Sequence, residues 1–411
     1  MKKNSLSTLF FTAFMDLMGM SFIIPIMAPL FLSRQGIFDE SATQAIRMMS
    51  LGLLIASYPF FQFFGAPLLG SLSDRYGRKK ILLISLCGTG LGYLLSAIAV
   101  QERNLAGLFA GRILSGMSAG NIAVIYSSIA DITPERDKAK NFGLIGMAFG
   151  MGFIFGPWIG GKLADPGTVP WFNFATPYWG AATFTVLNLI FVISNFQETL
   201  QQRRDVSLRL NAGIYFVKKA FSRKRVRVIF SVVFLTTLGF NFFTQFFQVY
   251  LVQKFQFHQA QIGTFFAYIG FWIMFTQGVL MRFYFRRFSP TQVLPISILL
   301  LSLMFPLILF PTHAKSLYWL NPFIAIFQGL THPNLMALIS NLSGKEEQGE
   351  ILGINQSVQS LAMVFPPLIA GMIVSIHRSF PILAAGLFVF LGWAVYIVFF
   401  GRLNKERSLS S

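Results

Sequence analysis

Apolar runs of about twenty residues recur along this chain from one end to the other, and nothing else constrains its fold as strongly. A helix rises about 1.5 Å per residue, so one such run crosses the roughly 30 Å of bilayer hydrocarbon in a single pass. Twelve are legible, over 8–32, 46–70, 80–99, 106–130, 141–163, 177–197, 228–251, 262–282, 291–311, 317–341, 350–376 and 380–401. With 54% hydrophobic and 12% charged residues, 411 residues cannot hide that surface from water, so lipid is the solvent. Backbone polar groups in lipid need internal partners, which selects helices. The expectation is an all-α membrane protein of twelve transmembrane helices with no separate soluble domain. The opening MKKNSLSTLFF reads as part of a retained first helix, because its apolar stretch continues to about Leu32 with Asp16 inside it and no small-residue cleavage site. The lone Cys87 falls in an apolar run, which gives no disulfide framework.

The net charge of +18 is explained by position. If the N-terminus is cytoplasmic, 25 of the 33 Lys and Arg fall on the inner side of the membrane. That bias orients the chain with both termini inside and its partner surface a lipid bilayer, the inner (cytoplasmic) membrane of a cell. A nucleic-acid role would need a basic face outside the membrane, and the spans leave none.

The longest polar stretch, 198–227, reads as a basic cytoplasmic linker between residues 1–197 and 228–411. Those halves look like tandem copies. Gly70 and Leu72 recur as Gly278 and Leu280, Gly116 and Asn121 as Gly329 and Asn334, and Pro157 and Gly161 as Pro367 and Gly371, at offsets near 210 residues. Such repeats are the design of many secondary carriers, whose substrate sites lie near the bilayer midplane. The fold expected is two pseudo-symmetric six-helix bundles.

The loop GSLSDRYGRKK, 70–80, matches the pattern G-x-L-x-D-R-x-G-R-K. Gly70 and Gly77 permit a tight turn, while Asp74 can meet Arg75, Arg78 or a helix N-terminus, with Lys79 adding charge. On this pattern the chain resembles the major facilitator superfamily. The resemblance implies a cytoplasmic gating motif that latches the halves together when the carrier faces outward. The second-half copy keeps Arg282, Arg286 and Arg287 but lacks the acid, so the latch is expected to be asymmetric.

Within the fifth run, Gly152, Gly156 and Gly160 stand four apart, with Pro157 and Gly161 beside them. Small residues at that spacing let helices touch backbone to backbone. The run GMGFIFGPWIGG also resembles the antiporter motif of the superfamily's exporters, though helix packing alone accounts for the glycines. In the first run, Asp16, Gly19 and Pro25 have the spacing D-x-x-G-x-x-x-x-x-P of tetracycline-efflux-type drug:proton antiporters, and 346–368 resembles the same branch.

A charge inside hydrocarbon costs about 3 kcal/mol on insertion scales. Of fifteen acids only Asp16 lies well within a run, which makes it the candidate protonation site; a structural acid paired with another helix is the competing reading. Arg112, in an R-x-x-x-G motif of the fourth run, is the one fixed cation inside a run. It would pair with Asp16, meet an anionic substrate group, or snorkel outward. His332 is the single intramembrane histidine. Polar and aromatic residues that would line a substrate cavity are Tyr58, Gln62, Asn121, Tyr126, Asn241, Gln245, Gln248, Gln328, His332, Asn334, Asn355, Gln356 and Gln359.

No phosphate-cradling loop and no His or Cys pair at metal-ligand spacing is present, so neither an enzyme, a metal site nor ATP drive is expected. The resemblance implies a monomeric transporter without cofactors, which exports a small organic substrate by alternating access, driven by the proton gradient. Two rivals stay open at this level. One is a proton-driven importer or exporter of a siderophore, polycarboxylate or other nutrient, and the other is a lipid flippase.

Overall fold

A computed structural model describes residues 2–33, 36–39, 41–133, 138–200, 214–215, 224–280, 288–341 and 348–400. Most of the expected linker, 201–213 and 216–223, lies outside the described residues, as do Arg282, Arg286 and Arg287 and the first residues of 346–368.

Among the described residues every regular element is a helix. The first expected span is α1 (Lys2–Ser21), a 3-10 turn at Ile24–Ile26 and α2 (Met27–Leu32). Pro25 lies in that turn, where its missing N–H and ring break the helical ladder. Then come α3 (Gln44–Tyr76), α4 (Arg78–Gln101), α5 (Leu105–Ser118), α6 (Asn121–Ile132), α7 (Lys138–Leu163) and α8 (Thr176–Asn195). After the linker follow α9 (Lys224–Phe255), α10 (Gln259–Phe275) continued by a π-helical turn at Thr276–Leu280, α11 (Pro290–Leu307), α12 (Ala314–Asn341), α13 (Gln348–Ile376) and α14 (Phe380–Val395) with a second π-helical turn at Tyr396–Phe400. The described residues of each of the twelve expected spans are mainly helical, and nine stretches of the described residues meet the length and apolarity needed to cross a membrane.

The helices divide into two compact units, Met1–Ala212 with Gln256–Gly270, and Gly213–Phe255 with Phe271–Ser411. In the first, α1 packs chiefly on α7 and α8, and α4 on α5 and α8. Leu9 and Leu17 of α1, Leu82 and Leu86 of α4, Val124 and Ile125 of α6 and Val192 of α8 form its apolar core. Lipid tails are as apolar as leucine, so close packing has to hold such helices together. The glycine row of α7 provides it. A Cβ built on Gly152 would lie 3.0 Å from Leu17 Cβ, one on Gly156 3.0 Å from the Met18 carbonyl oxygen, and one on Gly160 2.5 Å from Phe22 Cα. The start of α10 belongs to this unit because Gly161 opposes the backbone of Gln259, whose Nε2 donates to the Ala164 carbonyl at 3.5 Å.

In the second unit α9 packs along α13 and α14, and α11 along α12 and α14. Its interior is aromatic: Phe242 stacks on Phe388 at 5.4 Å, and Phe243 meets Phe247 at 4.4 Å and Phe305 at 5.1 Å.

Candidate functional site

The first unit gathers its charged and phenolic groups around two features of the fourth span, a close approach and a break. At Gly116, four residues after Arg112, a Cβ would stand 2.6 Å from the Tyr58 carbonyl oxygen, so only glycine lets α5 press this closely on α3. One turn earlier, the Arg112 guanidinium lies over the Tyr58 ring, 4.8 Å from its centroid. Arg112 is only 9% exposed, its Nε has no hydrogen-bond partner, and among the described residues the ion pairs leave it without a carboxylate.

The break separates α5 from α6 at Ala119 and Gly120. A helix interrupted in hydrocarbon frees backbone carbonyls that need donors. Gln62 Nε2 donates to the Ala119 carbonyl at 3.2 Å, and Ser85 Oγ donates to that of Ser118 at 2.5 Å. Asn121 opens α6 with its Oδ1 accepting from the Ile122 N–H at 2.8 Å. Its amide faces the Asp16 carboxyl of α1, and its Nδ2 makes no hydrogen bond of normal geometry among the described residues. Asp16 is half-buried and interacts electrostatically with Tyr58, as does Arg112, so that phenol lies within reach of both charges. Tyr93 of α4 and Tyr178 of α8 complete the group, both buried and both within electrostatic reach of Arg112. Tyr126 of α6 is half-buried and Tyr58 buried.

The 70–80 loop motif forms a second cluster in this unit. Gly77 ends α3 with φ +105°, a backbone that side-chain-bearing residues rarely adopt. The turn starts α4 at Arg78, whose guanidinium reaches Asp74 Oδ1 at 2.6 Å, Asp131 Oδ2 at 2.9 Å and Ser73 Oγ at 2.7 Å. Glu198, just past α8, accepts from the backbone N–H groups of Arg78 at 2.9 Å and Lys79 at 3.1 Å, and Lys79 Nζ donates to the Ile193 carbonyl at 2.9 Å. A carboxylate on the first N–H groups of a helix satisfies orphan donors and suits the helix dipole. Arg75 is exposed, with Cζ 5.6 Å from the Tyr76 ring centroid, and Gly70 has open space beside it.

In the second unit Gln328, His332 and Gln359 line one cleft with Thr236, Thr237 and Thr331. Its enclosed space, about 10 Å³, suits roughly one water. The side chains of Gln359 and His332 hydrogen-bond to each other. Asn241, Gln245 and Gln248 form an amide ladder along α9, with Gln245 Nε2 donating to Asn241 Oδ1 at 2.9 Å and Gln248 Nε2 to the Gln245 carbonyl at 3.3 Å. Asn334 is buried and donates to the Leu330 carbonyl at 2.7 Å, Asn355 donates to Met336 Sδ at 3.4 Å, and Gln356 is exposed. None of these three lines the cleft, and Asn355 touches it through Met336.

Sequence reasoning missed Tyr93, Tyr178 and Asp131, and it read Glu198 as linker. A phenol inside an apolar run is the signal for the tyrosines, since its hydroxyl needs a partner there. Asp131 sits at the end of α6 and Glu198 just past α8.

These helices, with a carboxyl deep in an apolar span and a charged turn between two spans, define a multi-pass membrane transporter. A family model of the Major Facilitator Superfamily matches residues 9–367 and 286–411, and the chain belongs to that superfamily. Over 403 residues it is 28% identical to the Tetracycline resistance protein, class C, of Escherichia coli, covering 98% of this chain and 97% of that one. It is 27% identical over 386 residues to the Quinolone resistance protein NorA of Staphylococcus aureus (strain MSSA476), covering 92% of each. A crystal structure of the human organic anion transporter MFSD10 (TETRAN) shares the fold, with a TM-score of 0.73 at 22% identity over 96% of this chain and 99% of that one. The twelve helices thus adopt the major facilitator fold, and the protein is a transporter rather than an enzyme.

Proposed function

We propose that this transporter exports a small organic molecule in exchange for protons by alternating access, acting as a monomer in the cytoplasmic membrane with both termini inside. No cofactor is required, because the proton gradient supplies the driving force. The observation that carries the reading is the setting of Asp16. It is the one acid well within an expected span, half-buried, opposite Asn121 at a helix break, and without a direct ion pair among the described residues. A carboxyl so held can alternate between neutral and charged forms as the protein turns from one side to the other. Export is supported by the resemblance of GMGFIFGPWIGG to the antiporter motif and by relatives named for tetracycline and quinolone resistance, which points to drug-sized organic substrates. The His332, Gln328 and Gln359 cleft supplies hydrogen-bonding groups for part of that substrate. The concentration of Lys and Arg on inner connections supports the orientation.

Everted membrane vesicles test the direction. With an inward-acidic gradient they should accumulate tetracycline or a fluoroquinolone, and a protonophore should release it. Accumulation that ignores the protonophore, or loss of substrate from the vesicles on energisation, would turn the reading to an importer or to an uncoupled carrier.

A further inference from the structure

The two buried arginines of the first unit are treated in opposite ways. Arg78 closes on Asp74, Asp131 and Ser73, so its charge is balanced where it sits. Arg112 is equally buried but has no carboxylate within 4.0 Å among the described residues, and its Nε is unpartnered. A guanidinium cannot escape by losing its proton. The face of Tyr58, 4.8 Å away, offsets its desolvation only in part. Tyr178, fully buried, holds a hydroxyl that has no partner among the described residues, within electrostatic reach of the same guanidinium. Two orphaned donors and an unbalanced positive charge, each at least nine-tenths buried, are what a small anion needs.

We infer that Arg112 and Tyr178 form a binding site for an exchangeable monovalent anion, filled either by an inorganic halide or by a carboxylate carried on the substrate. The site goes beyond the proton exchange proposed above and does not depend on it. Arg112 interacts electrostatically with Tyr58 of α3, Tyr93 of α4 and Tyr178 of α8, and Asp16 of α1 interacts with Tyr58 and Tyr93. Of these only Asp16 is a carboxylic acid, and it shares the neighbour Tyr58 with Arg112. A negative charge on Asp16 competes with an anion for that field, whereas a neutral Asp16 leaves the whole of it to the anion.

The test is the thermal melting of the purified protein in detergent, titrated with chloride or with benzoate against sulfate at constant ionic strength. A saturable rise in melting temperature is expected from one or both. Saturation with chloride alone assigns an inorganic ion, and tighter saturation with benzoate assigns a substrate carboxylate. The response should vanish in Arg112→Gln, weaken at least fivefold in Tyr178→Phe, and tighten severalfold in Asp16→Asn. No saturable response from either anion in the native protein overturns the site, as does an undiminished response in folded Arg112→Gln. If Arg112→Gln does not fold, an unchanged midpoint in Tyr178→Phe overturns it. Because no transport is measured, failure here leaves proton exchange standing, and failure of proton exchange leaves the anion response to be read on its own.

Discussion

The carboxylate of Glu198 accepts the backbone N–H of Arg78 at 2.9 Å, across 120 residues of sequence. With Lys79 it caps α4 and ties the end of α8 to the charged turn at Gly77. Helix caps are worth about 1 kcal/mol. Glu198→Ala should lower the melting temperature by an amount equal to about 1 kcal/mol, and Glu198→Gln, which keeps one acceptor oxygen, should lose less. Equal melting of all three proteins would show that the cap is without consequence.

Gly77→Ala strikes the same turn from the other side. Its φ of +105° is strained for alanine, and the new Cβ would lie 2.6 Å from Glu198 Oε2. The loss should exceed that of Glu198→Ala, by about 1 kcal/mol on the scale of left-handed backbone strain. Melting of the double variant should show the two effects as less than additive, since they share one contact.

Arg78 bridges three acceptors from two directions, which a planar guanidinium can do and an ammonium cannot. Arg78→Lys should therefore fail to restore what Arg78→Gln loses. Because Asp74 and Asp131 are 33% and 23% exposed, the stability change is put at about 1–2 kcal/mol, below the value for a fully buried pair. The transport rate should fall more than stability does, and a lysine variant with native turnover would refute the bridging role.

The glycines of α7 are not equivalent. Gly160 faces the backbone of Phe22 at close quarters, whereas a Cβ on Gly146 meets nothing within 4 Å. Gly160→Val should destabilise by about 1–3 kcal/mol through overpacking, while Gly146→Ala should be neutral or slightly stabilising through helix propensity. Melting of the two variants side by side separates a close-packing role from a general preference for glycine.

Much of the fold and the charged positions was legible because hydrocarbon leaves few readings for a charge or a long apolar run. Asp16 and Arg112 stood out on that ground alone. Tyr93 and Tyr178 did not, since a phenol ring is at home in an apolar span and its hydroxyl becomes informative only when its neighbours are known. The break at Ala119 and Gly120 was hidden for a similar reason. Glycine is common in membrane helices, and what makes this one a break is Gln62 and Ser85, on other helices, taking up the freed carbonyls. Glu198 was read as linker because its partners lie far back in the chain. Local pattern carries no trace of a contact that distant.

The central claim is that Asp16 carries the proton exchanged for substrate. The direct measurement is proton movement in proteoliposomes holding a pH indicator, on addition of tetracycline or a fluoroquinolone, for the native protein and for Asp16→Asn. Substrate-triggered proton movement opposite in direction to the substrate is expected, lost in Asp16→Asn although that variant still binds the substrate. Undiminished proton movement in Asp16→Asn would contradict it.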